Sequence, residues 1–359
     1  MTDAPAPLRR RPRVGALGVG WIGRHRLEVL AAADLVQIVA LADASHDSVR
    51  QAAAIAPHAA VCDSLEQLLA TDLDGLVIAT PTAQHASQAR AALQAGVAVC
   101  CQKPLGRTLH ETRTVIDAAR AADRLLTVDF SYRYMAATEA VRRAVSTAAI
   151  GNLVAAELVF HNAYGPDKPW YRTPALSGGG CVIDLGVHLI DLLTWLTGER
   201  VAGVGSAALF AEGRPWTGGD AVEDLAQCHL RLASGASASL TCSWWLPAGC
   251  DAVIGVTLYG ANGGVRLRNV GGSFYDFLAE RLDATRTYVL VEPPDAWGGR
   301  AVVEWARRLV DGGRYDAACE SHLAVSAVLD AIYDAAGMRT TEAVNCPAAG
   351  TAPVPVTPA

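Results

Sequence analysis

The chain has 359 residues, of which 51% are hydrophobic and 18% are charged, and its net charge at pH 7 is −6. This length favours two domains over one, and no apolar run reaches the roughly 18 residues that suggest a membrane span. The one basic cluster, near the N-terminus, has no interleaved aromatic residues, so we expect neither nucleic acid nor a membrane as a partner.

Both ends of the chain have the composition of disordered segments. Residues 1–12 are rich in Pro and Arg and lack the apolar stretch of a secretory signal, and residues 339–359 are rich in Ala, Pro and Thr without periodicity. The nine cysteines are scattered and include no C-x-x-C pair. We therefore expect a disordered leader, a disordered tail, reduced thiols and a cytoplasmic location.

Residues 13–129 alternate short apolar strands with helical stretches. The predicted strands are 14–19, 36–42, 75–79, 97–101 and 125–128, and the predicted helices are 22–33, 45–56, 84–95 and 108–122. This alternation predicts an α/β domain with a doubly wound parallel sheet, whose ligands bind at the carboxyl ends of the strands.

A glycine-rich turn joins the first strand to the first helix. It comprises Gly18, Gly20, Trp21, Ile22 and Gly23. Glycines let the backbone turn tightly and approach a pyrophosphate, which the helix N-terminus stabilises. Asp43 closes the next strand, where a carboxylate accepts hydrogen bonds from ribose hydroxyls and repels a 2′-phosphate. We expect a dinucleotide site that favours NAD, with NADP less favoured.

Two more strand ends bring further candidate binding residues to the same predicted edge. These residues are Thr80, Pro81, His85, Gln102 and Lys103. The chain has many arginines but only two lysines, Lys103 and Lys168. The ammonium group of lysine is compact and its pKa can fall on burial, whereas the guanidinium of arginine stays charged. We expect Lys103 to point into the cofactor crevice, where it either hydrogen-bonds a substrate hydroxyl or relays a proton.

Residues 130–338 have a different rhythm, with longer strands joined by Gly-rich turns at 153–162, 224–232, 236–245 and 252–259. Consecutive strands without crossover helices predict an α+β domain with a large, mainly antiparallel open sheet. Closing helices are expected at 301–309 and 320–336.

An apolar helix predicted at 181–196 follows three glycines and carries two polar residues four positions apart, Asp184 and His188. On an α-helix these lie on one face, with Asp191 on the same stripe. A carboxylate that holds an imidazole makes a general base. Alternatively, two buried polar groups merely satisfy each other. A metal site is disfavoured, because three residues on one helical face converge poorly on one ion.

Together these motifs resemble the Gfo/Idh/MocA (glucose-fructose oxidoreductase/inositol dehydrogenase) family over about residues 12–340. They are the glycine turn with Asp43, Thr80-Pro81 with His85, Lys103-Pro104, and the Gly-Gly-Gly-x-x-x-Asp-x-Gly-x-His-x-x-Asp stretch. The resemblance implies an NAD(P)-dependent oxidoreductase acting on a secondary alcohol or ketone of a sugar, inositol or related polyol. It also implies a homo-oligomer, a dimer or tetramer, formed through the second domain's sheet.

The resemblance assigns roles to individual residues. Lys103, Asp184 and His188 fall on catalytic positions, Arg133 lies near the substrate, and the substrate-side loop comprises Trp170, Tyr171 and Arg172. One position departs from the family, because Gln102 replaces the usual Glu. The amide keeps a hydrogen bond but removes a negative charge beside Lys103. Some relatives sense nucleotide without catalysis, so a non-catalytic NAD(P)-binding protein is the alternative.

Overall fold

The computed structural model describes residues 10–337, which form two sheets with helices packed on them. The first sheet has six parallel strands in the order β3-β2-β1-β4-β5-β6. Its strands are β1 (Arg13–Leu17), β2 (Gln37–Ala42), β3 (Ala60–Cys62), β4 (Gly75–Ile78), β5 (Ala98–Gln102) and β6 (Leu126–Asp129). Its helices are α1 (Trp21–Ala33), α2 (His46–Ala53), α3 (Leu65–Leu69), α4 (Thr82–Gln94) and α5 (Leu109–Ala122).

The predicted doubly wound parallel sheet is confirmed. The strand order reverses between β1 and β4, and this reversal opens a crevice at the carboxyl edge. The sequence reading missed β3 and α3, because elements of three and five residues are too short to show a period.

Three residues of the predicted leader, 10–12, contact the first domain. Arg10 forms an ion pair with Asp74, Arg11 forms one with Asp34, and the Pro12 carbonyl accepts a hydrogen bond from Gln37. Residues 10–12 are therefore anchored to the first domain. The rest of the predicted leader and the predicted tail at 339–359 lie outside the described residues.

The second sheet has nine strands in the order β15-β14-β13-β12-β7-β11-β10-β8-β9. Neighbouring strands are antiparallel except β7 and β11, so the prediction of a mainly antiparallel sheet is confirmed. The strands are β7 (Leu153–Asn162), β8 (Val201–Ala211), β9 (Arg214–Pro215), β10 (Leu225–Leu232), β11 (Ser237–Ser243), β12 (Ala252–Gly260), β13 (Gly263–Asn269), β14 (Phe277–Asp283) and β15 (Arg286–Val291). The remaining helices are α6 (Ala136–Ser146), α7 (Pro174–Ser177), α8 (Val187–Thr197), α9 (Arg300–Val310) and α10 (Ser321–Ala335).

Helix α9 returns to the first domain, although a boundary at residue 130 assigns it to the second. It packs against α1, and the Trp305 ring lies fully buried among side chains of the first sheet. The chain therefore crosses between the two domains more than once.

The predicted helix 181–196 is interrupted at its start. A wide π-helical turn covers Val182–Gly186, and α8 follows it directly. The helical stretch Pro174–Thr197 is long and apolar enough to cross a membrane, but 83% of its most apolar window is buried inside the protein. It is a core helix of the second domain, packed on β7, β12 and α10.

Candidate active site

The glycine-rich turn is shaped by close contacts on one side and open space on the other. Gly18 has a φ of +80°, and a side chain at Gly23 would place its Cβ 2.0 Å from the Gly18 carbonyl oxygen. A Cβ at Gly20 would meet nothing within 4 Å. Trp21, at the start of α1, is exposed and Ile22 is half-buried. The open side at Gly20 and the N-terminus of α1 fit a dinucleotide pyrophosphate.

Asp43, at the end of β2, faces this turn. Its two carboxylate oxygens accept hydrogen bonds from the backbone amides of Val19, at 2.7 Å, and Ser45, at 2.8 Å. Each carboxylate oxygen has a second lone pair. The carboxylate is thus fixed in place and keeps acceptor capacity for ribose hydroxyls.

His85, predicted to contact the cofactor, is instead an internal link between two loops. It is 1% exposed, and its Nδ1 and Nε2 each lie 2.7 Å from a backbone carbonyl oxygen, of Pro104 and Thr80 respectively. Burial lowers the pKa of His85, and the two carbonyl groups oppose that effect. His85 therefore holds the Thr80-Pro81 turn against the turn that carries Lys103.

Gln102, where the family usually has Glu, belongs to a buried polar cluster. Its amide Nε2 donates to Asp129, which also accepts from Arg26 Nε at 2.5 Å and from Ser131 Oγ at 2.6 Å. Gln102 and Asp129 are register partners on β5 and β6. The negative charge that Gln102 lacks is thus present at Asp129, where it is paired with Arg26. The sequence reading missed both residues.

Lys103 and Asp184, 81 residues apart, meet at the carboxyl edge of the first sheet. Lys103 Nζ donates to Asp184 Oδ1 at 2.8 Å and to the Asp184 carbonyl oxygen at 2.7 Å. The other carboxylate oxygen, Oδ2, accepts from Trp244 Nε1 at 3.2 Å. The ammonium is therefore held at two points of one residue, and the two residues meet at the edge of the sheet where Lys103 was expected.

The expectation that Asp184 holds His188 is wrong. Among the described residues, the Asp184 carboxylate bonds Lys103 and Trp244, and His188 Nδ1 is buried without a hydrogen-bond partner. The i, i+4 rule presumes an α-helix, whereas Asp184 lies in the π-helical turn.

His188 instead stands among aromatic rings. Its ring centroid lies 4.8 Å from that of Tyr132 and 6.2 Å from those of Phe130 and Phe160. Burial, and secondarily the Lys103 charge, hold the pKa of His188 well below its ordinary value. The imidazole is therefore neutral at pH 7, the form that accepts a proton.

Arg133, expected near the substrate, is occupied by a structural ion pair. Its guanidinium binds both oxygens of Asp191, a buried carboxylate on α8. It also lies over the rings of Phe130 and Trp195, with its Cζ 5.4 and 5.9 Å from their centroids. The buried charge of Asp191 is thus paired with an arginine.

The loop of Trp170, Tyr171 and Arg172 joins an aromatic wall beside Asp184. Trp170 and Tyr171 are stacked with centroids 3.8 Å apart, and Tyr171 meets the buried Trp244 edge-on at 6.5 Å. Arg172 lies over Trp245, 5.4 Å from its centroid, and Trp245 is 45% exposed. Burial raises the pKa of Tyr171, and the Asp184 charge adds to that effect.

Comparisons with known proteins agree with this arrangement. Residues 12–130 match the oxidoreductase family with an NAD-binding Rossmann fold, and residues 138–266 match the GFO/IDH/MocA C-terminal domain. D-apiose dehydrogenase of Paraburkholderia graminis is 30% identical over 342 residues, covering 90% of this chain and 87% of that protein. Inositol 2-dehydrogenase of Agrobacterium fabrum is 34% identical over 192 residues, covering 51% and 54%.

Among solved structures, levoglucosan dehydrogenase in complex with NADH and levoglucosan superposes with a TM-score of 0.77 at 22% identity, covering 91% of this chain and 97% of that chain. GenD2 from gentamicin A biosynthesis, in complex with NAD, has a TM-score of 0.76 at 24% identity, with 94% and 97% covered. Both likenesses concern the fold. From the two family matches and the full-length relative, this chain is a member of the Gfo/Idh/MocA family of NAD(P)-binding oxidoreductases.

Proposed function

We propose that this protein transfers a hydride between NAD and a secondary alcohol or ketone of a sugar, an inositol or a related polyol. The observation that carries the proposal is the 2.8 Å ion pair of Lys103 and Asp184 at the carboxyl edge of the first sheet. An ammonium fixed there suits a substrate oxygen that gains negative charge as its proton leaves. The substrate class is supported by relatives named D-apiose dehydrogenase and inositol 2-dehydrogenase.

Bound NAD supplies the hydride acceptor at its nicotinamide ring, and NADH supplies the donor. Lys103 donates a hydrogen bond to the substrate oxygen while Asp184 holds the ammonium in place. His188, neutral because its pKa is held low, accepts the hydroxyl proton during oxidation and returns it during reduction. In this mechanism Asp184 positions Lys103, and the His188 imidazole is the base.

The aromatic wall supports a carbohydrate substrate. Ring faces bind the apolar C–H face of a sugar, while a few polar groups orient its hydroxyls. Trp245 has a φ of +57°, so its backbone is in the sparsely populated left-handed region, and its ring remains partly exposed beside Arg172.

Two finer points belong to the same proposal. Asp43 favours NAD, because a 2′-phosphate would meet its carboxylate. The outer face of the second sheet is the proposed subunit interface; there Arg266 and Arg268 pair with Glu280, and Tyr259 donates to Glu157. Light scattering of the purified protein tests this point, and a monomer at all concentrations contradicts it.

Single-turnover kinetics test the function directly. A panel of sugars, inositols and polyols is mixed with enzyme and NAD, and NADH absorbance is followed in the wild type and in His188→Ala. We expect one substrate class to give NADH in the wild type, with a rate about 10²–10⁴-fold lower in the variant. Tight NADH binding by fluorescence without turnover of any polyol favours a nucleotide-sensing protein, and wild-type rates in His188→Ala refute the role of the base.

A further inference from the structure

The glycine run before the π-helical turn is pressed between two other segments of the second domain. A Cβ at Gly179 would lie 2.0 Å from the Tyr333 hydroxyl oxygen, and a Cβ at Gly180 would lie 1.8 Å from the Glu223 carbonyl oxygen. Tyr333 belongs to α10, and Glu223 precedes β10. Glycine is required here because the backbone itself is the contact surface.

Glu223 is fully buried and is surrounded by hydrogen-bond donors. Its carboxylate accepts from Gly180 N at 2.9 and 3.0 Å, from Val182 N at 3.0 Å and from the Tyr333 hydroxyl at 2.8 Å. Burial raises the pKa of Glu223, and the bonds from Val182, Tyr333 and Gly180 counteract this rise. A carboxylate at the start of a helix also meets the positive end of the helix dipole.

The amides that Glu223 binds lie immediately before Asp184. Asp184 N donates to the Gly180 carbonyl at 3.0 Å, and Val187 N donates to the Val182 carbonyl five residues earlier, as a π-helical turn requires. Lys103 bonds the Asp184 carbonyl oxygen as well as its carboxylate. A shift of residues 180–182 therefore displaces both points that hold the Lys103 ammonium.

Helix α10 connects this arrangement to the other side of the crevice. Asp330, one turn before Tyr333, accepts from Leu109 N at 2.9 Å, and Ser326 pairs with Thr112 at 2.8 Å. The three α10 side chains lie at i, i+4 and i+7, on one face of the helix. Leu109 and Thr112 open α5, the helix that follows Lys103. One buried polar face thus ties the Glu223 site to the element after the catalytic lysine.

We propose that Glu223, supported by Tyr333, is a positioning residue that fixes residues 180–182 so that Asp184 holds Lys103 at two points. Its effect on turnover rests on the proposed function. Its effect on Lys103 is measurable without any substrate, because the chain contains only one other lysine, Lys168.

Acylation of lysine by acetic anhydride, followed by peptide mass spectrometry, tests the proposal. We expect Lys103 to react about tenfold faster in Glu223→Gln and about threefold faster in Tyr333→Phe than in the wild type, because loss of a charge-assisted bond loosens its anchor. The Lys168 side chain, 63% exposed, is the internal reference and keeps its rate. Asp184→Asn removes the ion pair directly, so its Lys103 acylation rate shows the largest increase that loss of this anchor can cause.

Two variants control for chemistry and for general loosening. Asp224→Asn changes the neighbouring carboxylate, which accepts from Glu212 N at 2.7 Å, and Tyr315→Phe removes a hydroxyl bound to Glu320. Both should leave the Lys103 rate within about twofold of wild type, as expected for changes away from the anchor. Thermal melts of every variant confirm that the folded state is the one being labelled.

Kinetics separate positioning from plain structural damage. In Glu223→Gln we expect kcat to fall about tenfold while KM for NAD is unchanged. When Glu223→Gln is added to Asp184→Asn, we expect it to lower kcat by less than about twofold, because the anchor is already lost. Wild-type Lys103 labelling in a folded Glu223→Gln protein overturns the proposal. If Glu223→Gln does not fold, unchanged labelling in Tyr333→Phe overturns it equally. The labelling result holds even if no polyol is turned over, so the two proposals fail separately.

Discussion

The two halves of the site are assembled by different means. On the side of the first domain, each functional residue follows or ends its own strand, and the parallel strands of one sheet bring Asp43, Thr80 and Lys103 to one edge. On the other side, Asp184 accepts a hydrogen bond from Trp244, 60 residues further along the chain, and follows Gly180 and Val182, whose amides are bound by Glu223. Strand order thus places the residues of the first half, whereas the position of Asp184 depends on hydrogen bonds between segments that are distant in sequence.

Lys103, the central residue of the first half, should show the largest effect. Lys103→Met removes the ammonium and should lower kcat by about 10³-fold. Lys103→Arg should not restore it, because a planar guanidinium does not fit the place of the compact ammonium between Asp184 and the substrate oxygen. Steady-state kinetics check this, with Lys168→Met as the matched control. A kcat within tenfold of wild type would remove Lys103 from the chemistry.

Asp184 should matter less than the lysine that it holds. Asp184→Asn keeps the size of the side chain but removes the charge opposite Lys103 Nζ, so we expect kcat to fall about 10–100-fold with NADH affinity unchanged. Stopped-flow kinetics and fluorescence titration measure the two quantities. A loss as large as that of Lys103→Met would mean that Asp184 itself takes part in proton transfer, and the second half would no longer be only a support.

Asp43 tests how the first half of the site binds its cofactor. Asp43→Ala should raise KM for NAD about tenfold, through loss of hydrogen bonds to the ribose, and should leave KM for NADP unchanged or lower. Asp47→Ala, on the exposed surface of α2 where it pairs with Arg50, is the control. Equal effects on the two cofactors would show that Asp43 supports only the glycine turn through Val19 N.

His322, on α10, packs on Phe130, which follows the last strand of the first sheet, and this burial gives a pH-dependent prediction. It is buried against Phe130, with ring centroids 5.4 Å apart, and burial followed by the Arg133 charge lowers its pKa to about 3. Between about pH 6.5 and pH 3 the unfolded chain binds a proton at this residue that the folded chain does not bind. The free energy of unfolding should therefore fall as the pH falls, by up to about 1.4 kcal/mol per unit from this group.

Urea unfolding at several pH values measures that slope. His322→Phe keeps a ring on Phe130 and should flatten the slope by up to that amount, whereas His229→Phe, at an exposed position on β10, should leave it nearly unchanged. An unchanged slope in His322→Phe would mean that the acid sensitivity arises elsewhere.

The parallel sheet and the mainly antiparallel sheet followed from the rhythm of strands and helices, and the family resemblance put Lys103 and Asp184 at one site. The hydrogen-bond partners of the individual side chains did not follow from the sequence. Asp184 bonds Lys103 and Trp244, His85 bonds two backbone carbonyls, and Arg133 bonds Asp191. Spacing along a helix identifies which side chains share a face. The hydrogen-bond partners of a carboxylate, however, come from residues that are distant in sequence, and a local sequence pattern does not identify them.

The turn Val182–Gly186 has a consequence for the helix that follows it. A π-helical turn contains one residue more than an α-helical turn, and each residue of an α-helix turns the chain by about 100°. If the same residues formed a regular α-helix instead, His188 would be rotated away from its present direction by about that angle. The protein would keep its sheet, its helix and its composition, and would lose the alignment of its base.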